Sequence, residues 1–321
     1  MKFVTLIGAF VAATALAGVA RADEACKLGV SMYTLGAPYF AAQLKAAEAE
    51  GKKQGCTVRT ADGQNDMVKQ IGDIQDMVAA GVNVLIVNPR DPKGLIPAVD
   101  AATKEGVKVI GMDSLFDPSA NILTNVSAAN GENGKLVGAW LAKKMDGKPI
   151  KMALISGEQG NVVGQDRRMG VISGLMDALL TNYGHADVSI VGQGWGHWST
   201  DGGLSAMEDL LTAHPDINVV LGENDSMVLG ARKALKAANR LNGVLLVAAA
   251  DGQKEALALI QKGEYGATGL NNPKILAEMA VDIGVKALNG KAGELKKYTF
   301  TPPVAITKDN VDKYYDPNSV F

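Results

Sequence analysis

Short runs of apolar and β-branched residues alternate along the chain with longer stretches in which apolar positions recur every three to four residues. The short runs at 28–32, 57–60, 82–87, 107–112, 152–156, 188–191, 219–221 and 244–250 predict strands. The longer period predicts helices at 39–54, 67–80, 95–105, 134–145, 169–180, 204–213, 227–238 and 275–288, often with glycine where a helix would end. Such repetition of strand and helix implies an α/β chain with parallel sheets covered by helices on both faces. The first series ends near 124–126 and a second restarts at Lys151, so two sheets are expected, with a boundary around 127–130. No Pro/Ser-rich or charged linker interrupts that boundary, so a short ordered crossing is expected there. After Gly290 the pattern changes: 298–303 reads as extended, Pro302 and Pro303 forbid a helix, and 314–317 reads as a loop.

One apolar run stands outside this scheme. Lys2 is followed by residues 3–20, broken only by Thr and Gly, and then by Ala20-Arg21-Ala22, the small-x-small exit of a secretory signal peptide. A mature chain starting at Asp23 and released into the periplasm is expected, with an uncleaved membrane anchor as the rival. A lipoprotein is disfavoured because Cys26 follows Asp23-Glu24-Ala25 rather than the cut.

Composition narrows the class further. A chain of 321 residues, 47% hydrophobic and 21% charged, is neither disordered nor fibrous, and at about 150 residues per domain it suggests two domains. Loss of Lys2 and Arg21 with the leader takes the formal charge from −2 to −4. An acidic chain without a Lys/Arg cluster is a poor nucleic-acid binder. Cys26 and Cys56 are the only cysteines, and each immediately precedes a predicted strand. Adjacent parallel strands would bring the two together as a disulfide; two buried free thiols are the alternative.

Ligands of open parallel sheets bind beyond the carboxyl ends of the strands. Tyr39 and Phe40 follow the first predicted strand, Asn88 the third and Asp113 the fourth, while Asn224 and Asp251 follow strands of the second series. Planar Asn, Asp and Arg side chains can engage two adjacent hydroxyls, and aromatic faces such as Trp198 suit the C–H side of a sugar ring. Together these residues suit a small polyhydroxylated ligand; singly, each Asn or Asp also reads as a helix cap. The glycine-rich 157–164 lacks the Walker lysine and dinucleotide spacing and reads as a loop. Ser173 sits one place away from a nucleophile-elbow pattern, inside a helical stretch, and reads as a helix residue. His185, His197 and His214 have no metal-ligand spacing, so neither a metal, a cofactor nor an enzyme activity is expected.

The segments Pro38-Tyr39-Phe40, Leu85-Ile-Val-Asn88-Pro89, Val109-Ile-Gly-Met-Asp113, Asp166-Arg167-Arg168-Met169-Gly170, Glu223-Asn224-Asp225-Ser-Met227, Ala249-Ala-Asp251-Gly252 and Ala267-Thr-Gly-Leu-Asn271 carry a resemblance. From Leu28 to about Thr307 the chain resembles the ribose-type periplasmic sugar-binding proteins, relatives of the sugar-sensing cores of lac-repressor-like regulators. That resemblance implies two Rossmann-like, doubly wound lobes joined by three hinge crossings near Ser127, Asn271 and Phe300, the type I arrangement. The lobes would be 23–127 plus 272–300 and 128–271 plus 301–321. It places Tyr39 and Phe40 against one sugar face and Trp198 against the other. Asn88, Asp113, Arg167, Asn224, Asp251 and Asn271 would bond hydroxyls, with Ser114 and His197 as secondary candidates.

Two positions depart from the family pattern. Ala37 stands where pentose binders often carry asparagine before Pro38, and Ser114 where arginine often follows the strand aspartate. The implied function is capture of a monosaccharide or sugar alcohol by a monomer, with delivery to the permease of an ABC importer and a chemoreceptor as an additional partner. Rivals are a signalling furanone or nucleoside in the same scaffold, an enzyme, and a DNA-binding regulator. The leader, where a regulator would carry its helix-turn-helix, argues against the last.

Overall fold

The computed structural model describes residues 25–321; the expected leader and its cut lie outside the described residues. The first series runs β1 (Lys27–Met32), α1 (Pro38–Lys53), β2 (Thr57–Asp62), α2 (Met67–Ala79), β3 (Val84–Asn88), α3 (Ile96–Lys104), β4 (Lys108–Met112) and β5 (Thr124–Ala128). The second runs α4 (Asn130–Met145), β6 (Ile150–Ser156), α5 (Val162–Tyr183), β7 (Val188–Trp195), α6 (Thr200–Ala213), β8 (Val219–Gly222), α7 (Asp225–Ala237), β9 (Leu245–Asp251), α8 (Lys254–Lys262) and β10 (Ala267–Leu270). Then follow α9 (Pro273–Leu288), β11 (Tyr298–Thr301) and β12 (Ala305–Ile306).

The strands form two six-stranded sheets, ordered β2-β1-β3-β4-β5-β11 and β7-β6-β8-β9-β10-β12. All pairings are parallel except that of β12 with β10. In each sheet the order reverses beside the first strand of its series, β1 or β6, which opens a crevice at the carboxyl ends. Side chains alternate across the first sheet as the pleat demands. Val30, Ile86, Ile110 and Val126 pack with Leu276 and Ala280 of α9, while Leu85, Val87 and Val109 face Ile74 of α2 and Val99 of α3.

The chain passes between the sheets three times: from β5 into α4, which packs on β9 and β10; from β10 into α9, which packs on β3 and β4; and from β11 into β12. The second lobe is tightened by α4 and α5 lying almost backbone to backbone. A Cβ on Gly174 would stand 2.2 Å from the carbonyl oxygen of Lys135, and one on Gly138 2.2 Å from that of Val171. The glycines flanking Ser173 thus serve helix packing, and the Ser173 hydroxyl donates to the Gly170 carbonyl at 2.9 Å.

Several elements differ from expectation. Helix α5 starts at Val162 instead of 169, because the Asn161 side chain accepts from the Gly164 amide at 2.9 Å and caps the first turn. The end of the glycine-rich stretch is therefore helix and not loop. Strand β7 extends to Trp195 through glycines of poor strand propensity, held in register by pairing with β6 up to Ser156. Strands β5 and β10, absent from the predicted set, are short and buried throughout.

Cys26 and Cys56 are joined in a disulfide, with Cα atoms 4.5 Å apart, where Lys27 of β1 lies opposite Thr57 of β2. The bond closes a separation of 30 residues, for which loop-closure entropy gives about 3 to 4 kcal/mol. Replacing both cysteines by serine should lower folding stability by about that amount in denaturant titration. The unfolded, unreduced native chain should show no titratable thiol; two would contradict the bond.

Candidate functional site

The strand ends of both lobes meet in one cleft. From the first lobe it is lined by Tyr33, Tyr39, Phe40, Asp113 and Ser114. Asn161, Val163, Arg167, Trp198, Asn224, Ser226 and Asp251 line it from the second lobe, Asn271 from the crossing into α9, and Phe321 also reaches it. Pro38 at the first position of α1 fixes where that helix starts and sets Tyr39 and Phe40 at the mouth. Asp113, His197 and Trp198 hold left-handed backbone, with φ of 67°, 49° and 58°. Such conformations are uncommon for residues with a side chain and concentrate at functional loops.

A polar network runs across the floor. Arg167, 5% exposed, pairs with Asp251 at 3.0 Å and donates to Asn130 Oδ1 at 2.9 Å and to the Glu223 carbonyl at 3.2 Å. Its guanidinium carbon lies 5.9 Å from the centroid of the Trp198 ring, in cation–π range. Asn271 donates to Asp251 Oδ1 at 3.2 Å. The Tyr39 hydroxyl stands 3.0 Å from Asp113 Oδ1 and 2.9 Å from Asn271 Oδ1, and its one proton serves one acceptor at a time.

Supporting residues fix these groups. The Asp225 carboxylate accepts from the amides of Asp251, Gly252 and Gln253 at 3.0, 2.7 and 2.9 Å and from the hydroxyls of Tyr265 and Thr268. It thereby pins the loop after β9 that carries Asp251. The Glu223 carboxylate pairs with Arg168 and accepts from the Gly157 amide at 2.8 Å. Gly157 in turn seats the indole of Trp198: a Cβ there would lie 2.1 Å from its Cε2. The glycine-rich stretch after β6 is thus shaped to the aromatic side chain beside it.

Burial lifts the carboxylates. Asp251 is pushed up to about 6 by burial, against the pull of Arg167. Asp113 is raised by burial although Arg167, Tyr39 and Asn88 lower it, and Asp225 by burial against its amide and hydroxyl donors. The Tyr39 phenol is held well above its ordinary value by burial and by Asp113. These shifts gather where the two lobes face each other, as at sites that handle ligands.

Of the residues singled out from sequence, Tyr39, Phe40, Asp113, Ser114, Arg167, Trp198, Asn224, Asp251 and Asn271 line the cleft. Asn224 does so while also capping α7: its Oδ1 accepts from the Met227 amide at 3.0 Å and its Nδ2 donates to the Trp198 carbonyl at 3.2 Å. Asn88 is not on the wall. It lies fully buried behind Asp113, donating to Gln43 Oε1 at 3.0 Å and Asp113 Oδ2 at 3.4 Å. His197 is largely exposed and pairs with Glu158 at 2.9 Å. Glu223, Asp225, Tyr33, Asn161 and Phe321 were not among the candidates. Glu223 and Asp225 adjoin Asn224 in the family-like motif, whereas no local pattern marks Phe321. Among the described residues no cluster of His, Cys, Asp or Glu could hold a metal ion, and no helix is long and apolar enough to cross a membrane.

Two doubly wound lobes whose strand ends close on a polar, aromatic-walled cleft define a two-lobed ligand-binding protein. The chain belongs to the periplasmic binding protein domain family, whose model matches residues 28–292. It is 32% identical over 264 residues to the ribose import binding protein RbsB of Bacillus subtilis, covering 82% of each chain. Among solved structures it is similar to an ABC transporter solute-binding protein from Mycobacterium smegmatis with bound glycerol, at 32% identity and TM-score 0.79, covering 92% of this chain and 98% of that one. A Caulobacter myo-inositol binding protein bound to myo-inositol matches at 29% identity and TM-score 0.78, with the same coverage.

For Asp251 the folded-state value of about 6 lies above the usual 3.8, so ionisation opposes folding of the empty protein. The contribution of this carboxylate is intact below about pH 4 and is lost as pH rises through about 6. Asp251→Asn should match the native protein in stability at pH 4 and exceed it by up to about 3 kcal/mol at pH 7. Denaturant titration at both pH values checks this; an asparagine variant less stable at both contradicts it.

Proposed function

We propose that the protein is a periplasmic solute-binding protein that captures a monosaccharide or sugar alcohol in the cleft and delivers it to the permease of an ABC importer. The observation that carries this is the joining of Asp251 and Arg167, both buried, and the half-buried Asp113 with Asn271 and Asn224 between aromatic side chains from both lobes. Carboxylate and amide oxygens accept from ligand hydroxyls, Arg167 donates to them, and Trp198, Tyr39 and Phe40 offer faces to the C–H surfaces. Glycerol and myo-inositol in similar proteins support a polyol or sugar as the class of ligand. Ala37 and Ser114 shorten two contacts of the usual pentose set, so ribose itself is not transferred from RbsB.

The work is conformational. The ligand bridges groups of both lobes, so it stabilises the closed form over the open one and shifts the population toward closure. The three crossings serve as the hinge in this scheme, with lobes 23–127 plus 272–300 and 128–271 plus 301–321. The reading also takes in a leader cut after Ala22, a monomeric mature protein, and no catalysis. The closed form is what a permease recognises, and it is equally available to a chemoreceptor.

A thermal-shift screen of the mature protein against pentoses, hexoses and polyols should find a ligand that raises the melting temperature, with a matching change in tryptophan fluorescence from Trp198. Asp251→Ala should weaken that ligand at least tenfold, about 1.4 kcal/mol, because Arg167 and the ligand hydroxyl lose their partner. Unchanged affinity with intact folding would remove Asp251 from the site.

A further inference from the structure

We infer that residues 314–321 form a strap from the second lobe to the first, and that its Phe321 ring is a wall of the ligand site that limits the size of ligand admitted. The inference rests on the polyol-binding function proposed above.

The strap has two anchors. After β12 the chain makes a short 3-10 turn, Val311–Lys313, with Val311 buried in the core of the second lobe, and Tyr314 and Tyr315 pack on that same core. The chain then folds tightly: Asp316 accepts from the Asn318 amide through its side chain at 2.8 Å and from the Ser319 amide through its carbonyl at 3.1 Å. Lys254 at the start of α8 donates to the Ser319 carbonyl. Beyond that tether Phe321, 6% exposed, buries its ring against Tyr39 and Ala42 of α1 in the first lobe. The Phe321 and Tyr39 rings meet edge to face, 5.3 Å between centroids at 87°.

That contact is one side chain removed from the polar floor, since the Tyr39 hydroxyl reaches Asp113 and Asn271. Phe321 also lines the cleft itself, in the company of Arg167, Trp198 and Asp251. The ring therefore occupies space that a longer ligand would need, and it steadies the tyrosine that orients Asp113. Because one end of the strap is set in the second lobe and the other in the first, it is a fourth link between lobes that the three crossings already join.

The test uses the mature chain and a graded panel of glycerol, erythritol, xylitol, ribose, allose and myo-inositol, with Kd values from calorimetry. Phe321→Ala should raise affinity for the largest bound member relative to the smallest by at least tenfold. Phe321→Leu, which keeps an apolar anchor, should move the ratio by less. Lys254→Ala, which does not line the cleft and frees the tether, should shift the ratio in the same direction by about threefold. If all affinities change by one common factor, or none change, in a folded Phe321→Leu or Lys254→Ala protein, Phe321 merely props α1 and the inference is overturned. A native protein that binds no member of the panel overturns the polyol reading, and the size limit with it; a native protein that binds while the ratio stays fixed overturns the size limit alone.

Discussion

The cleft is organised around one buried pair, Arg167 with Asp251, held together out of water. A buried pair of this kind offsets part of its desolvation only when each partner is held in place and its remaining hydrogen-bonding capacity is met. Arg167 meets that condition through Asn130, the Glu223 carbonyl and the face of Trp198. Asp251 meets it through Asn271 and through Asp225, which grips three successive amides of its loop. The early start of α5, the tight seat of the indole over Gly157 and the close packing of α4 on α5 all place Arg167 or its neighbours. What looks like a collection of local features is the support of one ion pair.

The two cleft carboxylates are not equivalent. Asp251 has a cation beside it, whereas Asp113 is bonded to neutral donors, the Tyr39 hydroxyl and the Asn88 amide, and feels Arg167 only across the floor. With Ser114 next in sequence, the first lobe presents acceptors without a cation of its own in the cleft. The first lobe thus contributes acceptors, and the second both the donor Arg167 and the acceptor Asp251. The asymmetry gives the site an orientation sense that aromatic stacking alone would not supply.

Much of this was legible in the residues. Strands buried on both faces announce themselves as continuous apolar runs, and Asn or Asp at their ends marked the cleft because parallel strands of one lobe all point the same way. The two meanings of such a residue are not exclusive: Asn224 caps α7 and lines the cleft at once. Legibility failed where a residue acts at a distance. Asp225 serves a loop some 26 positions away, and Phe321 meets Tyr39 only through the tertiary fold. Asn88 is the last residue of β3 where Asp113 follows β4, and it lies behind the wall, its amide taken up by Gln43. The second half of β7, from 192 to Trp195, hid for another reason: edge pairing to β6, not propensity, makes it strand.

The interleaving of the lobes bears on how such a molecule comes into being. Tyr298 of β11 pairs beside Asn125 of β5, so the edge of the first sheet is supplied only after the whole second sheet down to β10 has been made. Neither lobe is a contiguous stretch of chain that could finish folding alone during synthesis. Strands β11 and β12 complete the two sheets, and beyond them Phe321 reaches the cleft. A chain cut short anywhere before β11 would therefore lack an edge strand of both sheets at once.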